Sequence, residues 1–254
     1  MDPRFLKLPR SLQKLSVTTT LNGVPALVAR PKGEELTPVV IWMHGRTVYK
    51  ELDPGRYQRW VRAGIAAVAL DLPGHGQRFD PVFQQPTKTL EVIEQGANEI
   101  NGVLVAMREM GGFDMDRVAI GGMSAGGMVT LHRLCSPHRF VAACLEGTTG
   151  NLHDLYFPPE NERGRPWPVT HDPEDVRRVD PMSHLAAFRP IPVLALHNEG
   201  DAMVPISTQR VFLDRLREHY ADEGADPAMI ELHTFTDTGA PAEHAGFGRF
   251  ANEA

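Results

Sequence analysis

Two cysteines, Cys135 and Cys144, are all that this 254-residue chain carries, and both stand in apolar surroundings. Two such thiols build no disulfide framework and show no metal-ligand spacing, so buried free thiols in a reducing cytoplasm are expected. Long apolar runs are missing as well. No stretch approaches the roughly 18 residues of a membrane span, and the opening MDPRFLKLPRSLQKLSVTTT has Arg and Lys but no apolar core of a secretory signal. The expectation is a cytoplasmic protein with no membrane partner. Runs of Lys or Arg are absent too. With 26 basic against 32 acidic residues and a formal net charge of −6, the chain lacks the basic face that phosphate backbones demand, which argues against nucleic acid as the main partner. There is no internal repeat, low-complexity block or long polar linker.

What remains is an ordinary globular composition, 42% hydrophobic and 23% charged, in a chain long enough for one large core. KLSVTTTLNGVPALVARP reads as two strands around the turn Asn22-Gly23. A regular rhythm follows. PVVIWMHG, IAAVALDLPGHG, RVAIGG, FVAACLEG, IPVLALHNEGD and AMIELHTF are short apolar runs, and helical stretches separate most of them. The longest helix runs from about Thr89 to Met110, with Leu90, Ile93, Ala97, Ile100, Leu104 and Met107 on one face. Short buried strands alternating with helices predict an α/β fold, a mostly parallel central sheet with helices on both faces. Reactive groups then belong at the carboxyl ends of the strands. The rhythm breaks only at about residues 147–190, a stretch rich in Pro, aromatics and charge, read here as a small lid-like excursion from a single domain spanning 1–254.

One segment departs from stability logic. DRVAIGGMSAGGMVTLHRL sets Ser124 among Gly121, Gly122, Gly126 and Gly127, although glycine costs roughly 0.5–1 kcal/mol relative to alanine in an element interior. Gly122-Met123-Ser124-Ala125-Gly126 fits G-x-S-x-G at a strand-to-helix turn, a sharp bend that lifts a nucleophilic hydroxyl above the sheet. Rival motifs fit less well. A dinucleotide fingerprint has glycine where Met123 stands, although Glu146 is spaced for a ribose contact, and a P-loop has lysine where Met128 stands. A structural serine is the plain alternative.

A serine hydroxyl needs a base held by an acid. In chain order serine, acid, histidine, Asp201 follows the strand VLALHN and His244 follows the last strand. Both fall in loops at strand carboxyl ends. His233 sits inside the alternating run IELHTF, where a half-buried strand position is expected, and His197 is read as a core or loop histidine. Glu146 is the rival acid, and Asp71 is read as a carboxylate bracing its own loop. For the oxyanion, Ala125 offers a backbone N–H at a helix N-terminus, and Arg46, after the tight turn His44-Gly45, offers a second. The Arg46 side chain has two readings, a surface salt bridge or a guanidinium that lines the mouth and favours substrates with a nearby anion. In the excursion, Leu155, Tyr156, Phe157 and Trp167 are candidates for a pocket wall, or else pack the excursion onto the domain.

Taken together, HGR, DLPGHGQRF, GGMSAGG, EGDAMVP and the late His244 resemble the α/β-hydrolase superfamily. More narrowly, the chain is similar to small bacterial carboxylesterases of the dienelactone-hydrolase-like and prolyl-oligopeptidase-like branch, from about Pro38 onward, with the first two strands as an antiparallel edge. The resemblance implies an α/β-hydrolase fold, with Ser124 as nucleophile, Asp201 as acid, His244 as base, and Arg46 and Ala125 N–H groups as the oxyanion hole. It implies neither metal nor organic cofactor. Dienelactone hydrolases proper carry cysteine where this chain has serine. No propeller is expected before the hydrolase unit, which favours esterase over peptidase, and with ten residues after His244 in this sequence the family's terminal helix is expected to be short or partly missing. The expected activity is hydrolysis of small carboxylic esters with short acyl chains through an acyl-enzyme. The alternatives are a thioesterase or peptidase with the same triad, and a non-catalytic binding protein on this fold.

Overall fold

The computed structural model describes residues 4–33, 35–158 and 169–253, so Trp167 lies outside the described residues. A 3-10 turn at Phe5–Lys7 leads into a short helix α1 (Arg10–Gln13) and a hairpin of β1 (Ser16–Leu21) and β2 (Val24–Ala29). Asn22 and Gly23 both take positive φ, 47° and 83°, the turn whose twist matches that of paired strands. Then come β3 (Thr37–Met43), α2 (Pro54–Arg62), β4 (Ala66–Leu70), α3 (Thr89–Met110), β5 (Phe113–Met123), α4 (Ala125–Leu134) and β6 (Ala142–Glu146). The chain continues through α5 (Leu152–Tyr156), α6 (Pro173–Val179), β7 (Val193–Asn198), α7 (Ile206–Asp222) and β8 (Ile230–Phe235).

The eight strands make one sheet in the order β1-β2-β4-β3-β5-β6-β7-β8. The pairs β1–β2 and β2–β4 are antiparallel, and every pair from β4 across to β8 is parallel. The expected architecture, with its antiparallel edge, is therefore what the chain adopts.

Side chains on a strand alternate between faces, and here the alternation feeds two cores. Val39, Ile41 and Met43 of β3 and Ala66, Val68 and Leu70 of β4 join the larger core under α3, α4 and α7. Trp42, Ala67 and Ala69 point the other way, toward Leu12 of α1 and Tyr57 and Val61 of α2. Burying both faces is what makes these strands read as continuous apolar runs. On α3 the buried stripe includes Val103, while Leu104 is only half-buried. The helix turns its Gly96 against Val129 of α4. His233 is exposed rather than half-buried, because β8 is the edge of the sheet and its outward face is uncovered there. The described parts of the excursion hold α5, α6 and a 3-10 stretch, Pro181–Ala187. Leu152, Val176 and Val179 are fully buried in the larger core.

Candidate active site

At the end of β5 the backbone folds sharply into α4. Ser124 takes φ 52° and ψ −121°, a strained conformation for a residue with a Cβ, costing about 1–3 kcal/mol. Its N–H is held by Glu146 O at 2.8 Å, and its carbonyl accepts from Thr148 Oγ1 at 2.8 Å. The neighbouring glycines permit the bend by close approach. A Cβ on Gly122 would come within 2.4 Å of the Gly126 carbonyl carbon, and one on Gly126 within 2.2 Å of Met43 O. Those obstacles are backbone and cannot swing aside. Gly126→Ala should therefore destabilise the protein by about 1–3 kcal/mol or more, read as a lower urea midpoint at unchanged slope. A neutral effect would contradict this account of the turn.

Asp201 and His244 come to Ser124 from two other loops past the carboxyl ends of the strands. His244 Nε2 lies 2.9 Å from Ser124 Oγ, and Nδ1 lies 2.7 Å from Asp201 Oδ2. A neutral imidazole in this position accepts the serine proton at Nε2 and donates Nδ1–H to the carboxylate. Asp201 is buried, and its other oxygen accepts from the Met203 and Val204 N–H groups, each at 2.8 Å. Burial pushes its pKa up, but hydrogen bonds from His197, His244 and the backbone outweigh that and hold it below the ordinary value. His197 stands behind the acid, with Nε2 2.9 Å from Val204 O and 3.5 Å from Asp201 Oδ2. It is the buried histidine expected from its strand position.

The loop after β3 runs beside the hydroxyl. A Cβ on Gly45 would stand 3.3 Å from Ser124 Cβ, so Arg46 follows directly beside Ser124. Neither the Arg46 nor the Ala125 N–H has a protein acceptor among the described residues. His44 fixes the loop: Nδ1–H donates to Gly45 O at 2.6 Å and Nε2 accepts from Leu72 N–H at 3.1 Å. Burial pulls its pKa down to about 4, so this neutral tautomer persists. Asp71 braces the same region, accepting from Lys50 N and Nζ and from Gln77 N.

Above these groups opens a cavity of about 1410 Å³. Of the three described excursion residues expected in its wall, Leu155 is there, while Tyr156 and Phe157 are not. Successive residues on a helix face different ways. Tyr156 is turned against the His171 ring at 4.6 Å, and Phe157 packs on the core. Glu146, the rival acid, is buried and paired with Arg56, whose guanidinium also binds Asp53 Oδ2 at 2.8 Å and stacks 4.2 Å from the Trp42 ring. The two carboxylates hold that guanidinium charged against the cost of burial. Arg46 forms no surface salt bridge among the described residues. Its guanidinium instead donates to Thr89 Oγ1 at 2.5 Å and Gln84 O at 2.6 Å. No group of three or more His, Cys, Asp or Glu among the described residues is arranged to hold a metal, and no described helix is long and apolar enough to cross a membrane.

Two positions escaped sequence reasoning. Gly147 backs the relay, since a Cβ there would lie 3.5 Å from both Asp201 Oδ2 and His244 Nδ1. Asn198, the last residue of β7, donates Nδ2 to Glu243 O at 2.5 Å and to Gly246 O at 3.0 Å, clamping the loop on both sides of His244. The only signal was a polar side chain at a strand end three residues before the acid. Asn198→Ala should cost about 1–3 kcal/mol of stability and lower kcat about 10- to 100-fold through a displaced imidazole, with KM little changed. An unchanged kcat would show the loop is held by other means.

Comparisons with known proteins show what the chain is similar to. The model of the prolyl oligopeptidase family matches residues 53–246. The chain is 26% identical over 222 residues to the esterase YjfP of Escherichia coli, covering 82% of this chain and 86% of that protein. It is 24% identical to the putative esterase YitV of Bacillus subtilis, covering 80% and 85% respectively. Among solved structures, TT1662 from Thermus thermophilus superposes with a TM-score of 0.68 at 21% identity, covering 87% of this chain and 88% of that one.

Proposed function

This chain belongs to the prolyl oligopeptidase family, and on that footing we propose that it hydrolyses carboxylic esters of short acyl chains through an acyl-enzyme on Ser124. The observation that carries the reading is the imidazole of His244 spanning Ser124 Oγ at 2.9 Å and Asp201 Oδ2 at 2.7 Å. Ser124 Oγ attacks the ester carbonyl while its proton passes to His244 Nε2. Asp201 holds the ring in the receptive tautomer and stabilises the imidazolium. The Arg46 and Ala125 N–H groups bind the new oxyanion, each strong donor contributing about 3–4 kcal/mol. Collapse breaks the carbon–oxygen bond to the alcohol, which leaves with the proton from His244. Water, deprotonated by the same imidazole, then attacks the acyl-enzyme and releases the acid and free Ser124.

Ester rather than amide cleavage is supported by the two bacterial relatives, one named an esterase and the other a putative esterase, which match over most of their length. Short acyl chains are supported by a cavity wall in which Arg46, Asp53, Arg56 and Asp154 interrupt the apolar surface. The test is a kcat/KM profile on aryl esters of two to twelve acyl carbons, beside a thioester and an amide of the best acid. The reading expects a maximum at two to four carbons and amide turnover orders of magnitude lower. A maximum at long chains contradicts the acyl assignment, and faster amide cleavage contradicts the ester assignment.

A further inference from the structure

Ester hydrolysis leaves the side chain of Arg46 unexplained. Arg46 and Gln84 both line the cavity, and the guanidinium donates to the Gln84 carbonyl. Its acceptors are neutral: Thr89 Oγ1, Gln84 O and, at 3.5 Å, Phe83 O. A guanidinium has five N–H donors in a planar fork, so at least two remain. No carboxylate among the described residues pairs with it, and none in the described cavity wall is spare. Asp53 and Glu146 are held by Arg56, Asp201 by His244, and Asp154 by Asn151 Nδ2 at 2.7 Å. Burial lowers the pKa of the guanidinium from its ordinary value, and the neighbouring Tyr156 phenol offsets this only in part. Such a charge is costly to keep unless something repays it.

We propose that Arg46 receives a carboxylate carried by the substrate, making this a hydrolase of esters with a free carboxylate a short chain away from the scissile bond. The arginine fork matches carboxylate geometry, and its backbone N–H lies at the reacting carbonyl. One residue thus addresses both ends of such a molecule. The proposal rests on ester hydrolysis at Ser124 and narrows its substrate class. A purely mechanical reading, in which Arg46 ties the β3 loop to residues 83–89, predicts no charge preference.

The experiment compares matched pairs: the aryl hemiesters of succinate and glutarate against their methyl-capped diesters, and the acetate of a hydroxybenzoate against that of its methyl ester. The first pairs place the carboxylate on the acyl side, the last on the alcohol side. The wild type should prefer the anionic member of at least one pair by about tenfold or more in kcat/KM. That preference should shrink between roughly 20 and 500 mM salt. In Arg46→Gln the ratio of anionic to neutral kcat/KM should fall toward one, mainly through KM, whatever happens to the absolute rates. Arg46→Lys should restore part of it. Arg59→Gln, which removes another cavity-lining arginine, should leave the ratio in place. A wild type that cleaves neutral members equally well or better, or a ratio unmoved by Arg46→Gln, overturns the proposal while leaving ester hydrolysis standing. Cleavage of no ester at all overturns both.

Discussion

Replacing Ser124 with alanine is expected to lower kcat on the best ester by about 10⁴-fold or more while the protein stays folded. The expectation comes from the geometry of one atom. Oγ is the only group at the turn within hydrogen-bonding reach of His244 Nε2, at 2.9 Å, and no other described side chain occupies that place. Removing it leaves oxyanion donors and cavity but no attacking atom, so residual activity should be that of binding and electrostatics alone. Stability should change little, since the side chain contributes only the bond to His244 and the strain at φ 52° remains in either variant. His244→Ala should fall to a similar level, and the double variant little further, because the two residues act as a unit. Additive losses would mean that the serine and histidine serve separate roles.

The second large effect is expected from Asp201→Asn, about 10⁴-fold in kcat. Asparagine fits the space but presents an amide where His244 Nδ1–H donates at 2.7 Å. The ring then favours the tautomer with the proton on Nε2, facing the serine it should accept from. Substrate binding is untouched, so KM should change little. The same carboxylate carries a stability prediction. Its pKa is depressed in the folded protein by hydrogen bonds that outweigh burial. A depressed carboxylate stabilises the fold above its unfolded-state pKa, and that contribution disappears as pH falls through the lower, folded value. The stability gap between wild type and Asp201→Asn should therefore be widest near neutrality and narrow in acid. Parallel urea titrations across pH measure it, and a gap that widens in acid would reverse the sign of the argument.

How much of this could be read before any coordinates depended on how local each cause was. The strands β3, β4, β5 and β7 were legible because burial on both faces leaves unbroken apolar runs, and α3 because its stripe repeats over 22 residues. Ser124 was legible because its turn needs glycines that no element would otherwise choose. Asp201 and His244 followed from chain order once the strands were placed. What stayed hidden was set by contacts between distant segments. Nothing near Arg46 reveals that Gln84 and Thr89 will hold its side chain, since those partners lie 38 and 43 positions away. Asn198 reaches 45 and 48 positions forward to clamp the histidine loop. Tyr156 looked like a cavity residue by type, and only the packing of α5 turned it toward His171. Aromatic character suggests a wall without saying which side of the helix faces the substrate.

The central claim is that one hydroxyl, at position 124, is made nucleophilic by a relay through positions 244 and 201. The most direct measurement is reaction with an aryl-ester-mimicking fluorophosphonate, followed by intact-mass and peptide mass spectrometry. The account predicts a single adduct, on Ser124, formed rapidly in the wild type, slowly in Asp201→Asn and not at all in Ser124→Ala. An unlabelled wild-type protein, or an adduct on any other residue, would contradict it.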